Sequence, residues 1–506
     1  MVPSLSSLLS SWQLSTRDGH RRSNEDMDPV PLKQRTWTTW NYVAYWISDS
    51  INPTIWEIAS SMVAIGLSWQ QALLAISVGH ILIAVVISLN GTMGAQLHIP
   101  FPVIARASFG FWFSVFCVTC RMSIAMFWFG IVSFNGSECT FQMVKALWPS
   151  FADVPNQLPA SAGITSVGMI SYVLFWAIQF PFLLVSPRDI RYFFVVKAVL
   201  APATCLGMLI WAIMRVSPAT SLGPGSELHE NHAPFSVWLS AMTSATGAWS
   251  TLAINIPDFT RYAVDERAQF IQILVIPMFM TLVGFCGIVV ASTTDVLYGT
   301  IIWDPLRVID RWDSRPAKFF AAFSFTMAVL GTNISANSLS AANDLTVLFP
   351  RYVNIRRGQV ICAIVGCWVI CPWKILASAP GFLNFISAYA VFLAPLASIL
   401  VVDYWIVRKR RVDLIEIYLP EGRYRYWHGI NWRAALAFVV GLGPNIPGLV
   451  ATLDPTIIVG RPLLKVYDVA WLYGTISTAF AYWLFWVWFP ANETLLDGDN
   501  CGGATA

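Results

Sequence analysis

Residues 329–344 read "VLGTNISANSLSAAND", eight hydrogen-bonding side chains inside an otherwise apolar segment. On a helix Asn333, Asn337, Ser340 and Asp344 stand at i, i+4, i+7 and i+11, so they share one face. Ser335, Ser338 and Ala341 fit helix-to-helix packing, which small and polar residues favour. Asn337 fits ligand recognition better, because a second segment, "CRMSIAMFWFGIVSFNG", offers it a partner face. There Arg121, Trp128 and Val132 fall at i, i+7 and i+11. An indole plane opposite an amide that both donates and accepts suits a flat heterocycle with amide edges.

Covalent chemistry finds no comparable cluster. His20, His80, His98, His229, His232 and His428 are scattered through tail, loops and one apolar run, and the nine Cys follow no ligand spacing. "CVTC" at 117–120 places two thiols on an apolar helix, where packing explains them. An enzyme, a bound metal and a cofactor are therefore not expected.

The elements that carry these faces are set by composition. Of 506 residues 56% are hydrophobic and 12% charged, against about 25% charged in ordinary soluble domains. A spanning helix needs roughly 20 apolar residues, and about twelve such runs can be read along the chain, the first near Asn41 and the last near Ala470. They leave no room for a separate soluble domain. The net charge of +3 resides in short loops, as at Arg188, Arg191, Arg356, Arg357 and "RKRR" at 408–411, which argues against a nucleic-acid partner. With an even number of spans, the positive-inside rule places both termini in the cytosol. The first 34 residues lack a signal-peptide core and read as a largely disordered tail.

Two spans are interrupted. "ISDSINPTIWEIASS" breaks at Asn52-Pro53 and brings Asp49 and Glu57 into the membrane, and "MTSATGAWSTLAINIPDFTRY" has a small, flexible stretch at Thr246, Gly247 and Ala248. Broken helices in corresponding positions of two halves point to a transporter site near the midplane. Spans one and six correspond if the first ten spans form two five-helix repeats, and spans three and eight then correspond as well.

"NEDMDPVPLKQRTW", "PFPVIARASFGFW", "AINIPDFTRY", "LGTNISANS", "RYVNIRRGQVICAIVGCWVICPWKIL" and "SAYAVFLAPLASILVVDYWIVRKRR" resemble the nucleobase-cation-symport-1 family, in its fungal uracil and allantoin permease branch. The resemblance runs from about Asn24 to Leu449. It implies an all-α polytopic membrane protein with a LeuT-like 5+5 inverted repeat plus two C-terminal helices. Repeat one would cover about 41–214, repeat two about 235–405 and the extra helices about 432–490, between cytosolic tails at 1–40 and 491–506. It also implies plasma-membrane uptake of a purine- or pyrimidine-related heterocycle such as uracil, allantoin or cytosine, by alternating access coupled to H+ or Na+. Its alternatives are a thiamine, nicotinamide riboside or nucleoside permease, and a nutrient sensor that does not transport.

The family's motifs carry over residue by residue. "WFGIV" makes Trp128 a stacking aromatic, the Trp nine residues before Asp258 makes Trp249 a second aromatic wall, and "TNISAN" makes Asn337 the amide ligand. Ser48 and Gly247, at the two breaks, complete the expected substrate set with Val132. The cation site would fall on Ala328, Gly331 and Thr332, with carbonyls from Ala44 and Ile47. Two departures stand out: Val132 replaces a Gln of the third-span motif, and Gly331 replaces a Ser of the cation site. The second weakens sodium and favours a proton, for which a titrating carboxylate in a partly dry setting is needed. Glu57 is the candidate, with a purely structural acid weighed equally. Arg121 and Asp258 are the candidate gating pair, expected to meet when the inner gate is closed, with separate partners or water as the alternative.

Overall fold

The computed structural model describes residues 23–184, 191–217, 220 and 233–496; most of the first 34 residues, Arg188 and the end of the C-terminal tail lie outside them. The described chain is helical, and eight of its helices are long and apolar enough to cross a membrane. The two broken segments and the shorter helices Ile355–Trp368 and Ala470–Trp488 complete the twelve runs read from the sequence.

The first span is written by its own residues. Helix α1, Thr39–Ser50, begins at a capping box in which the Thr38 N–H donates to Asn41 Oδ1 at 2.9 Å. It stops ahead of Pro53, and Asn52 then caps α2, Pro53–Ala64, by accepting from the Thr54 and Ile55 N–H groups. The chain continues with α3 (Trp69–Leu97), a short α4 (Phe101–Phe109), α5 (Phe111–Leu147), α6 (Ser166–Leu184) and α7 (Arg191–Arg215).

The sixth span divides into α8, Phe235–Gly247, and α9, Ser250–Asn255, with Ala248 and Trp249 between them. After α10 (Gln272–Tyr298) comes the eighth span, which is continuous but not uniformly α-helical. Helix α11, Arg315–Thr332, passes through a wide π turn at Asn333–Ser338 into α12, Leu339–Leu348. Helices α13 (Ile355–Trp368), α14 (Ala379–Val402), α15 (Trp432–Leu442), α16 (Ile446–Leu453) and α17 (Ala470–Trp488) follow.

Helix α5 packs on α6, α11 and α13, and α3 packs on α8 and α10, so spans three and eight lie side by side and spans two and six do likewise. Leu74, Ile81, Leu274, Leu282, Ile476 and Phe480 point outward and exposed, the pattern of a lipid-facing surface. Both described ends reach one face: Tyr418 donates to Met27 O at 2.8 Å, and Arg423 to Leu495 O at 2.7 Å.

Part of the expected disordered tail is ordered. Asn24 Nδ2 donates to Val353 O, the Ile355 N–H to Asp26 Oδ2, and Arg261 to Asp26 O. Residues 24–27 thus satisfy polar groups of loops distant in sequence, a role that composition could not reveal.

Candidate functional site

A cavity of about 50 Å³ lies where the two broken spans meet spans three and eight. Trp128 and Val132 of α5, Trp249 between α8 and α9, and Asn337 of the π turn all line it, as do Thr332 and Arg121. Ser48 and Gly247, expected in the substrate set, are not on its wall. Ser48 is half-buried with its Oγ shielded, and Gly247 packs against α14, where an added Cβ would come within 3.0 Å of Ala390 Cβ.

Each polar group on the wall has a determined orientation. Trp128 Nε1 donates to Tyr389 OH at 3.1 Å, and Trp249 Nε1 donates to His80 Nε2 at the same distance. Asn333 Nδ2 donates to Phe129 O at 3.1 Å, and because a carbonyl can only accept, this contact fixes the Asn333 amide. Its Oδ1 then accepts from Asn337 Nδ2 at 2.9 Å, leaving Asn337 Oδ1 as that side chain's uncommitted polar atom. Ser133 and Gln179 brace Asn333 from behind.

The place read as a cation site holds a side chain. Lys197 of α7, buried to 1% exposure, donates from Nζ to Thr332 Oγ1 at 3.0 Å and stands 3.7 Å from Asp49 Oδ1. A Cβ at Gly331 would lie 2.7 Å from Lys197 Cδ and 3.0 Å from its Nζ, so the residue that lost the serine oxygen is the one that makes room for the ammonium. Ser335, read as packing glue, donates to Asp49 Oδ1 at 3.2 Å and belongs to the same cluster. Nothing close to Lys197 in the sequence gives it these partners. Ala44, Ile47 and Ala328 are not on the cavity wall.

The proposed gating pair is replaced by two separate contacts. Arg121 forms its ion pair with Asp344 of α12 and donates to Ser340 O at 2.6 Å, both charged side chains being fully buried. Asp258 instead accepts from the Phe101 N–H, at the start of α4, at 2.9 Å and from Asn255 Nδ2 at 3.2 Å. A helix N-terminus carries unpaired N–H groups and a positive dipole end, which gives this carboxylate a partner without Arg121. Asn255 also donates to Ser340 Oγ at 2.7 Å and so links span six to span eight beside the ion pair. Glu57, in the second turn of α2, accepts from Asn135 Nδ2 at 2.9 Å and lies off the cavity wall.

A helical membrane protein whose two broken spans meet at a buried aromatic and amide cavity defines a class, the LeuT-fold transporters. The particular family follows from comparison with known proteins. The family model described as permease for cytosine/purines, uracil, thiamine, allantoin matches residues 29–474, and the chain belongs to that family, one of transporters rather than enzymes. It is 33% identical to the allantoin permease of Saccharomyces cerevisiae, over 93% of this chain and 76% of that one. It is also 33% identical to the uracil permease of the same yeast, over 92% and 76%. The fold matches that of Mhp1, a nucleobase-cation-symport-1 family transporter solved in a closed conformation with bromovinylhydantoin bound. That match has a TM-score of 0.71 and 23% identity, covering 94% of this chain and 96% of that one.

Proposed function

We propose that this permease imports a purine- or pyrimidine-related heterocycle across the plasma membrane by proton symport, with the face that carries both ends in the cytosol. The observation that carries the substrate reading is the cavity itself, where two indoles and the Asn337 amide converge. A heterocycle can stack on the rings and give an N–H to Asn337 Oδ1. The coupling reading is supported by Lys197, whose ammonium lies within reach of Thr332 and Asp49 and occupies the Thr332 oxygen that sodium would need. A proton can be carried there without a metal-sized space, and Asp49 and Glu57 are the neighbouring acids of the same span.

A second substrate reading, a nucleoside or thiamine permease, is favoured by Val132, which makes the wall beside Trp128 apolar. The test is uptake in cells that lack their own permeases, with labelled uracil competed by purines, pyrimidines, allantoin, thiamine and uridine, in sodium and sodium-free medium and with a protonophore. Saturable accumulation that ignores sodium and collapses with the protonophore is the expected result. Accumulation that requires sodium overturns the proton reading, and binding without accumulation makes the protein a sensor.

A further inference from the structure

Among the described residues His80 is the one histidine inside a span; it is fully buried and has no part in the coupling described above. Its Nδ1 lies 2.6 Å from Ile76 O. A carbonyl only accepts, so Nδ1 carries the ring proton and Nε2 of the neutral imidazole is an acceptor. That acceptor takes the Trp249 indole N–H at 3.1 Å. The neighbouring Gly79 explains how the two meet. A Cβ there would fall 2.7 Å from Ala245 Cβ and 3.0 Å from Met242 O, so the absent side chain lets α3 press against α8 just ahead of the break.

The break itself supplies little to hold Trp249. Among the described contacts no side-chain cap starts α9, and Trp249 stands at φ −104°, ψ 7°, outside the helical pattern. Its ring is held at one edge by His80 and crossed by Trp46 in a T-shaped contact with centroids 5.5 Å apart. Because His80 occupies the indole N–H, Trp249 can offer a ligand its ring face and not its donor.

We propose that His80 is a positioning residue for substrate recognition: by accepting the Trp249 indole hydrogen it fixes the plane of one aromatic wall of the cavity. This rests on the reading of that cavity as the substrate site. The role is specific to an acceptor at the Nε2 position, which Gln can supply and Leu cannot.

The experiment measures KM and Vmax per surface transporter for labelled uracil, allantoin and uridine in His80→Leu, His80→Gln, Trp249→Phe, Trp249→Ala and the double variant His80→Leu/Trp249→Phe. Losing one buried neutral hydrogen bond predicts that His80→Leu raises KM about tenfold with Vmax within about twofold of wild type, and that His80→Gln restores it. Trp249→Phe has no indole N–H, so adding His80→Leu to it should raise KM no further. A readout that needs no transport is the indole ¹⁵N–¹H spectrum of the purified protein: the resonance lost in Trp249→Phe should shift in His80→Leu and return in His80→Gln. An unmoved resonance, or an equal KM penalty from His80→Leu with and without the Trp249 N–H, overturns the proposal. If Trp249→Ala leaves KM unchanged while the resonance shifts as expected, the hydrogen bond exists and it is the substrate-site reading that fails.

Discussion

Asp49 and Glu57 stand on either side of one helix break, both at most 2% exposed, yet they have opposite kinds of neighbour. Asp49, the last acid before the break, faces the Lys197 ammonium and the Ser335 hydroxyl. Glu57, one turn into the restarted helix, accepts from the neutral amide of Asn135 and has another acid, Asp304, as its main charged neighbour. The same side-chain chemistry thus serves two purposes: a carboxylate opposite a buried cation is held as part of a charge pair, whereas one opposite an amide can exist with or without its proton. The difference divides the candidate coupling machinery into a fixed charge and an exchangeable one.

The largest expected effect breaks the charged half. Lys197→Met leaves Asp49 buried without its cation, a loss of about 3–5 kcal/mol for a broken buried pair, and should cut the amount of folded protein as well as uptake. Lys197→Met/Asp49→Asn removes both charges and should recover folded protein, read by size-exclusion profile, while accumulation stays lost. Recovery of full accumulation in the double variant would remove both residues from coupling.

Asn337→Ala tests whether affinity is separate from either acid. Loss of a buried amide contact of about 1–3 kcal/mol should raise KM roughly 5- to 150-fold at normal surface expression, leaving protons moved per substrate unchanged. Unchanged apparent affinity would take Asn337 out of the site.

Glu57→Gln sharpens the neutral half. It keeps the size of the side chain and a carbonyl acceptor for Asn135, so substrate affinity and counterflow should persist at near wild-type values while accumulation against a gradient is lost. Retained accumulation would make Glu57 a structural acid.

The smallest effect belongs to Val132, on the cavity wall one turn from Trp128. Val132→Gln restores a donor and an acceptor beside the indole and should improve inhibition by uracil and allantoin several-fold, in line with one neutral hydrogen bond of about 1 kcal/mol. High-affinity uracil uptake by the unaltered protein would mean that another amide already replaces the Gln.

Much of this arrangement was legible along the chain where cause and effect are close in sequence. Asn52-Pro53 specifies its break with its own cap, and Trp128 and Val132 share a face because helical periodicity is local. The cavity-facing residues of span three and Asn337 could be read for the same reason. Lys197 could not: a single lysine in an apolar run has no periodic partner, and its oxygens come from spans one and eight. His80 was equally hidden, since nothing near it in sequence announces Trp249. Arg121 and Asp258 were each recognised as needing a partner, but the choice between Asp344 and the start of α4 is made by how whole helices dock.

The wide turn at Asn333–Ser338 has a consequence for how this chain tolerates change in length. A π turn holds one residue more than the α-helical turn it replaces, so it acts as an insertion stored inside a continuous rod. Deleting one residue between Ile334 and Ala336 would let the turn close to α geometry while the helix after it keeps its angular register with α11. Asp344 would stay opposite Arg121 and Ser340 opposite Asn255, as Lys197 and Thr332 would on the near side. A single missing codon there would erase the wide turn that carries Asn337 and spare the contacts at both ends of the eighth span.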